Sequence, residues 1–332
     1  MSPTRQPMYK LLQGNFLNQI FLYITAECTY RCITCYMYKH YSNTVELPFH
    51  KAQEILQKYY KLGAKKLTLL GGEPMLHPNL EEIAKFAKDL GYSYVRIQTN
   101  GQFDPEILQD PLILNNVDTF SFSVDGPDER KNSIIRIRCS LDKTLQNIKV
   151  AQNLGYDTRI AVTVTSLNIN DLFDIVKLSE KVGVSVVYLN LVFPMGSAKG
   201  KTFLEVSPNQ WLKAYRELKK HSQNYKVKIK LPIGYSSITP NDHKCIALEL
   251  SRLYIMPNGD AYPCVLFIDK PNLKISEKGY INKIINYVNT SVEELNNRCY
   301  MLFSQENELK PLCLYYREIL GGTGENERKS KL

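Results

Sequence analysis

Residues 66–101 read KLTLLGGEPMLHPNLEEIAKFAKDLGYSYVRIQTNG. An apolar run at 66–70 has strand character and breaks at Gly71-Gly72-Glu73-Pro74. Asn79 with Glu82 three residues later spells a capping box, and Leu80, Ile83, Ala87 and Leu90 recur at helical spacing before Gly91 stops the helix. A second strand follows at 94–98 and ends in Thr99-Asn100-Gly101. The stretch is one strand–helix–strand unit.

The same unit recurs on both sides. Strand signals fall at 20–25, 119–124, 159–165 and 185–192, and helix signals at 48–62, 105–114 (short and irregular), 141–154 and 170–182. A last helix opens at Ser207-Pro208 with Gln210 and carries Trp211, Leu212, Tyr215 and Leu218. Six such units in succession demand right-handed crossovers and a parallel sheet, which binds ligands beyond the carboxyl ends of its strands. From about residue 229 the pattern gives way to shorter strands and turns. Four of the eight cysteines lie in that second part.

The 332 residues suit one large α/β unit with a smaller appendage, and 44% hydrophobic with 23% charged residues is ordinary for a packed core. Disorder and low-complexity fibres are excluded as the main state. The net charge of +9 is spread along the chain. It suits an acidic partner or anionic cofactor, or is a solvated lysine-rich surface. The run at 16–26 superficially resembles a signal peptide, but Asn18 and Gln19 interrupt it. With no apolar stretch of about 20 residues, the expectation is a cytoplasmic protein without membrane attachment. In a reducing compartment clustered cysteines point to metal or catalysis rather than disulfides.

The loop after the first strand reads Cys28-Thr-Tyr-Arg-Cys32-Ile-Thr-Cys35. Three thiolates do not complete an iron–sulfur cube, so one iron stays open to a small ligand. A zinc site would need a fourth ligand, for which His40 could serve. Read alone, Gly-Gly-Glu-Pro is a tight turn with a proline stop. The five histidines show no paired helical spacing, and no Walker loop or nucleophile elbow is present.

Cys-x3-Cys-x2-Cys after the first strand, with Gly71-Gly72-Glu73-Pro74 at the end of the second, resembles the radical S-adenosylmethionine (SAM) superfamily over about residues 18–225. One departure is Thr34, where the family commonly has an aromatic before the third cysteine; Tyr36 follows it instead. The resemblance implies a partial (β/α)6 TIM-like barrel in which Cys28, Cys32 and Cys35 hold a [4Fe–4S] cluster. Its open iron would take the amino and carboxylate groups of SAM, and reduction would generate a 5′-deoxyadenosyl radical. Gly71, Gly72 and Glu73 would hold the methionine moiety. Asn100, Ser123 and Asp125 would contact ribose and carboxylate in the manner of similar enzymes. Arg136 would pair with the carboxylate, or is a surface arginine in the basic run 130–138. Asn190 and the turn at 193–196 would meet the adenine.

Cys245, thirteen residues, Gly259, four residues and Cys264 resemble the opening of the auxiliary-cluster extension called SPASM, or its shorter form, twitch. The closing half is reduced: Tyr316, Gly322 and Asn326 stand where further cysteines would be. The resemblance leaves Cys245, Cys264, Cys299 and Cys313 for one auxiliary [4Fe–4S] cluster. Val265 replaces the aspartate that follows the equivalent cysteine in sulfatase-maturing relatives and argues against that chemistry. Cys139 stands alone; it is a hydrogen-atom donor to a substrate radical or a structural thiol.

The expected organisation is an N-terminal extension (1–17), a radical SAM barrel (18–230), a small C-terminal auxiliary-cluster domain (231–322) and a tail (323–332). The expected activity is hydrogen abstraction from a ribosomally made peptide, leading to crosslinking, epimerisation or backbone excision. Its partners would be the precursor peptide, a small protein that presents it, and an electron donor such as flavodoxin or ferredoxin. The alternative is oxidation or epimerisation of a small aminocyclitol or sugar, which the modest length and the short segment before the first strand favour. A structural-zinc protein binding nucleic acid is the distant alternative.

Overall fold

The computed structural model describes residues 17–37, 46–231 and 251–262, with Cys264, Val265, Ile268 and Ile275. The elements are β1 (Gln19–Thr25), α1 (Phe49–Lys61), β2 (Lys66–Gly71), α2 (Leu80–Leu90), β3 (Tyr94–Thr99), α3 (Pro111–Asn116), β4 (Thr119–Ser123) and α4 (Glu129–Ile135). They continue with α5 (Leu141–Asn153), β5 (Asp157–Val164), α6 (Leu172–Val182), β6 (Val186–Leu191), α7 (Pro208–His221), β7 (Lys228–Lys230), β8 (Arg252–Ile255) and β9 (Ala261–Tyr262).

The strands form one sheet in the order β7-β6-β5-β4-β3-β2-β1-β8-β9. Every neighbouring pair is parallel except β8 with β9. The six expected strands are therefore adjacent in chain order, as successive right-handed crossovers require. Among the described residues the sheet does not close, and β7 and β9 are its edges. A hairpin turn at Pro257-Asn258-Gly259 joins β8 to β9, with the Gly259 N–H donating to the Met256 carbonyl at 2.8 Å. Its first strand lies beside β1, with Gln19 opposite Arg252.

Strand alternation sorts the residues to two faces. Ile20, Leu22 and Ile24 of β1, Val95 and Ile97 of β3 and Phe120 and Phe122 of β4 join the main core with Leu56, Ile83, Ile148, Ile175 and Trp211 of the helices. Each such side chain contributes about 1.5–3 kcal/mol by leaving water. The opposite face carries Phe21, Tyr23, Leu70, Met195 and Tyr262 in a separate cluster. Side chains of β1, β3, β4, β5, β6 and β8 line one cavity on that face. A flat sheet could not bring them together, so the sheet curls into an open barrel.

Local chemistry sets the boundaries. Gly91 caps α2 with φ +100°, a conformation that strains any side chain. Ser207 and Gln210 form a full capping box on α7. The box expected at Asn79 and Glu82 does not form: Asn79 is not extended (φ −122°, ψ 31°), its side chain makes no cap bond, and Glu82 Oε2 is left without a partner. The irregular helix at 105–114 is two pieces, because Asp110 caps a new start with Pro111 at its first position. The basic run at 130–138 holds an unforeseen helix, α4, whose Asp128 cap accepts from the Lys131 N–H.

Candidate active site

Cys28, Cys32 and Cys35 are partly exposed thiols on the loop after β1. Neighbouring elements hold this loop by its backbone. The Ile33 N–H donates to Ile135 O at the end of α4 (3.0 Å), and the Ser197 N–H beyond β6 donates to Cys35 O (2.8 Å). Arg31 Nη1 donates to Cys28 O at 2.6 Å. Burial pushes the Cys28 thiol up to about 11, with Glu73, Cys32 and Cys35 each adding to the rise. The three sulfurs thus sense one another. Cys32 moves the other way: a hydrogen bond from the Cys139 thiol and the Arg136 guanidinium hold it below the ordinary thiol range against its own burial.

The Gly-Gly-Glu-Pro turn packs directly on β1. A Cβ on Gly71 would run into the Thr25 carbonyl, and one on Gly72 into the Glu27 carbonyl. Both glycines are required by close approach of backbone to backbone. The Gly72 N–H donates to Thr25 O (2.8 Å) and the Glu73 N–H to Glu27 O (2.7 Å). Glu73 is buried, and its carboxylate accepts from Thr99 Oγ1 (2.7 Å), the Asn100 N–H (2.7 Å) and the Met75 N–H (3.1 Å). Burial nevertheless raises it to about 7. Its side chain is committed to fastening β2 to β3.

Asp125, fully buried after β4, sits 2.8 Å from Arg136 Nε in an ion pair that lacks hydrogen-bond alignment. Asp125 Oδ1 accepts the Thr163 N–H (2.6 Å). Arg136 is not a surface arginine, since its side chain is only 12% exposed. It is buried against Asp125, and its Nη1 lies 3.9 Å from Cys32 Sγ. Asn100 donates Nδ2 toward Cys28 Sγ at 4.0 Å, while its Oδ1 accepts from the Gln102 N–H (2.8 Å).

Beside these loops opens a cavity of about 250 Å³ whose wall includes Ser123, Arg136 and Asn190. Asn100 and Glu73 approach from the neighbouring turns, and Asp125 stands behind Arg136. Cys139 is buried against Cys32 and is not on the cavity wall. Cys264 is half-buried among Tyr254, Tyr262 and Val265. Cys245, Cys299 and Cys313 lie outside the described residues, as does His40. Residues that sequence reasoning missed include Arg96, Gln98, Tyr188, Arg252 and Tyr254 on the cavity wall. For Arg96 and Gln98 the signal was the alternation along β3, where Tyr94, Arg96 and Gln98 share one face and Val95, Ile97 and Thr99 the other.

The donor set fits an iron–sulfur cube. Three thiols share one short loop, and amide and guanidinium donors reach two of the sulfurs, as cluster sulfurs require. Among the described residues no three His, Cys, Asp or Glu side chains are gathered as for a single ion. A cube, with one iron for each thiolate, holds its sulfurs further apart. No helix among them is long and apolar enough to cross a membrane.

The model of the radical SAM superfamily matches residues 22–179. The chain is 28% identical over 206 residues to an AdoMet-dependent heme synthase of Methanosarcina barkeri, covering 60% of this chain and 58% of that one. It is 24% identical over 292 residues to a GTP 3′,8-cyclase of Campylobacter fetus, covering 83% and 89%. In fold it is similar to Streptococcus suis SuiB bound to the precursor peptide SuiA (TM-score 0.63, 16% identity, 81% of this chain and 64% of that one). It is also similar to anSMEcpe with bound AdoMet (TM-score 0.64, 15% identity, 82% and 79%). The chain thus spans 58% of the heme synthase and 64% of SuiB. Residues 22–179 are thus a radical SAM domain, and enzymes of that superfamily use a [4Fe–4S] cluster and SAM.

Proposed function

We propose that Cys28, Cys32 and Cys35 hold a [4Fe–4S] cluster and that the chain abstracts hydrogen from a ribosomally made peptide. When bound, the cluster supplies one electron to the sulfonium of SAM, which splits to methionine and a 5′-deoxyadenosyl radical that takes a hydrogen atom from the substrate. The observation that carries the reading is the meeting of three half-exposed thiols, the Gly71-Gly72 cradle, Asn100 and Arg136 at one end of the parallel strands. Glu73 positions the turn through Thr99 and Asn100. Asp125 keeps Arg136 charged and placed beside Cys32. Ser123 and Asn190, which stand on the cavity wall, would contact the nucleoside. The structural thiol is the better reading of Cys139, because it stands off the cavity.

The peptide assignment draws on the SPASM-like hairpin, on the net charge of +9, which would attract an acidic leader, and on the fold shared with SuiB. Residues 231–322 would form the auxiliary-cluster domain, with Cys264 joined by Cys245, Cys299 and Cys313. The precursor could be presented by a small partner protein, with flavodoxin or ferredoxin as electron donor. A second reading, a small molecule, is favoured by the size of the cavity, about 250 Å³. Reduced, reconstituted enzyme incubated with SAM and peptide pools from the host tests both. A peptide whose mass changes in step with 5′-deoxyadenosine release supports the first, and an unchanged pool with a modified small metabolite supports the second.

A further inference from the structure

Three arginines, Arg96, Arg136 and Arg252, line the cavity, and no carboxylate does among the described residues. Among the described residues only Arg136 of the three has an acid partner, Asp125. Arg159, on the neighbouring wall, is neutralised by Asp157 at 2.7 Å and is not part of the lining. Arg96 projects from the middle of β3, and its Nε is enclosed without any hydrogen-bond partner. Its guanidinium lies between two aromatic rings, 5.9 Å from the centre of Phe21 and 5.7 Å from that of Tyr188. Phe21 in turn stacks on Tyr254 at 4.7 Å and 14°. Arg252 stands two residues before Tyr254 on β8, the strand beside β1.

This arrangement is expensive unless something completes it. Aromatic faces hold a guanidinium plane, and Tyr188 offers its N–H edge one neutral acceptor, but Nε has none. Burial pushes the Arg96 pKa down, and the neighbouring Tyr94 and Tyr188 side chains offset that loss of water only in part. A second arginine on the same wall adds like charge to a half-enclosed site. An oxyanion with two or more oxygens would satisfy both edges by charge-assisted, bidentate bonds.

We propose that Arg96 and Arg252 form an anion anchor for the substrate, binding a carboxylate or phosphate group deep in the barrel while the cofactor occupies the cysteine end. This rests on the radical SAM reading for its meaning as a substrate site, and it narrows the substrate to one with an acidic group. In a peptide that group is an Asp, Glu or C-terminal carboxylate; in a small molecule it is most simply a phosphate.

The test uses the full chain, reconstituted anaerobically and saturated with SAM, in calorimetric titrations with inorganic pyrophosphate, glutarate and the neutral glutaramide. One site for an anion is expected, weakened about tenfold or more in Arg96→Met and Arg252→Met and less in Arg96→Lys. Glutaramide should not bind. Stronger pyrophosphate binding assigns a phosphate-bearing substrate, and stronger glutarate binding a carboxylate. The anchor is overturned if neither anion binds, if glutaramide binds as well as glutarate, or if both Met variants match the wild type. It is equally overturned if the SAM-free protein binds the anion and added SAM displaces it, which would make the arginines part of the cofactor site. Should Arg96→Met fail to fold, Arg252→Met and the wild-type comparison of glutarate with glutaramide decide. Release of 5′-deoxyadenosine by the wild type is scored separately, so loss of the radical reading and loss of the anchor give different results.

Discussion

Glu73 Oε2 accepts the backbone N–H of Asn100 at 2.7 Å, joining the turn after β2 to the end of β3. The same carboxylate takes the Thr99 hydroxyl and the Met75 N–H on its other oxygen. Asn100 meanwhile reaches toward Cys28 Sγ. One buried acid therefore sets the distance between the glycine cradle and the first thiol.

Glu73→Gln should lower stability by about 1–3 kcal/mol, because one amide N–H would face a backbone N–H it cannot bond. The variant also removes a titration. Burial raises Glu73 from 4.5 to about 7, so the folded state favours the protonated acid. Its contribution is present below about pH 4.5 and is lost as pH rises through about 7. Urea unfolding in steps from about pH 5 to about pH 8 should show wild-type stability falling relative to Glu73→Gln. Parallel curves would contradict the assignment.

Gly71→Ala and Gly72→Ala should each destabilise by about 1–3 kcal/mol or more, since the new methyl meets backbone carbonyls rather than a side chain that can swing away. Thermal melts check the stability, and equilibrium dialysis with SAM checks the cradle. Near-wild-type behaviour in both would show that β1 and the turn are not held so close.

Asp125→Asn leaves Arg136 buried without its counter-charge, and the loss should be about 3–5 kcal/mol. The double variant Asp125→Asn with Arg136→Met should be less damaged than Asp125→Asn alone. A double-mutant cycle by urea unfolding reads the coupling directly. Additive effects would mean the 2.8 Å contact carries no energy of its own.

The parallel order of β1 to β6 was readable because each strand ends in a turn and each helix repeats apolar residues at 3.6 spacing, as in Leu80, Ile83 and Ala87. The cysteine loop and its glycine partner were readable because their chemistry is local. Arg136 was not. Helix α4 hides in a basic run, and only the Asp128 cap marks its start. Its arginine is buried by Asp125, a partner eleven residues away across a loop. Arg96 and Arg252 escaped for a related reason: they lie on strands whose inward faces meet only once the sheet curls. Three of the four proposed auxiliary cysteines lie outside the described residues.

Cys264→Ala should retain 5′-deoxyadenosine release while losing roughly four irons per chain, the content of one cluster. Iron analysis of anaerobically reconstituted protein checks this beside a substrate-product assay, in which the final product should disappear. Unchanged iron content would remove the auxiliary cluster from the account.

The most direct measurement is 5′-deoxyadenosine release from the reconstituted, reduced enzyme given SAM, with Cys28→Ala, Cys32→Ala and Cys35→Ala in parallel. Release by the wild type, abolished in all three variants, is the predicted result. A wild-type protein that binds zinc at these thiols, shows no brown chromophore and releases no deoxyadenosine would contradict it.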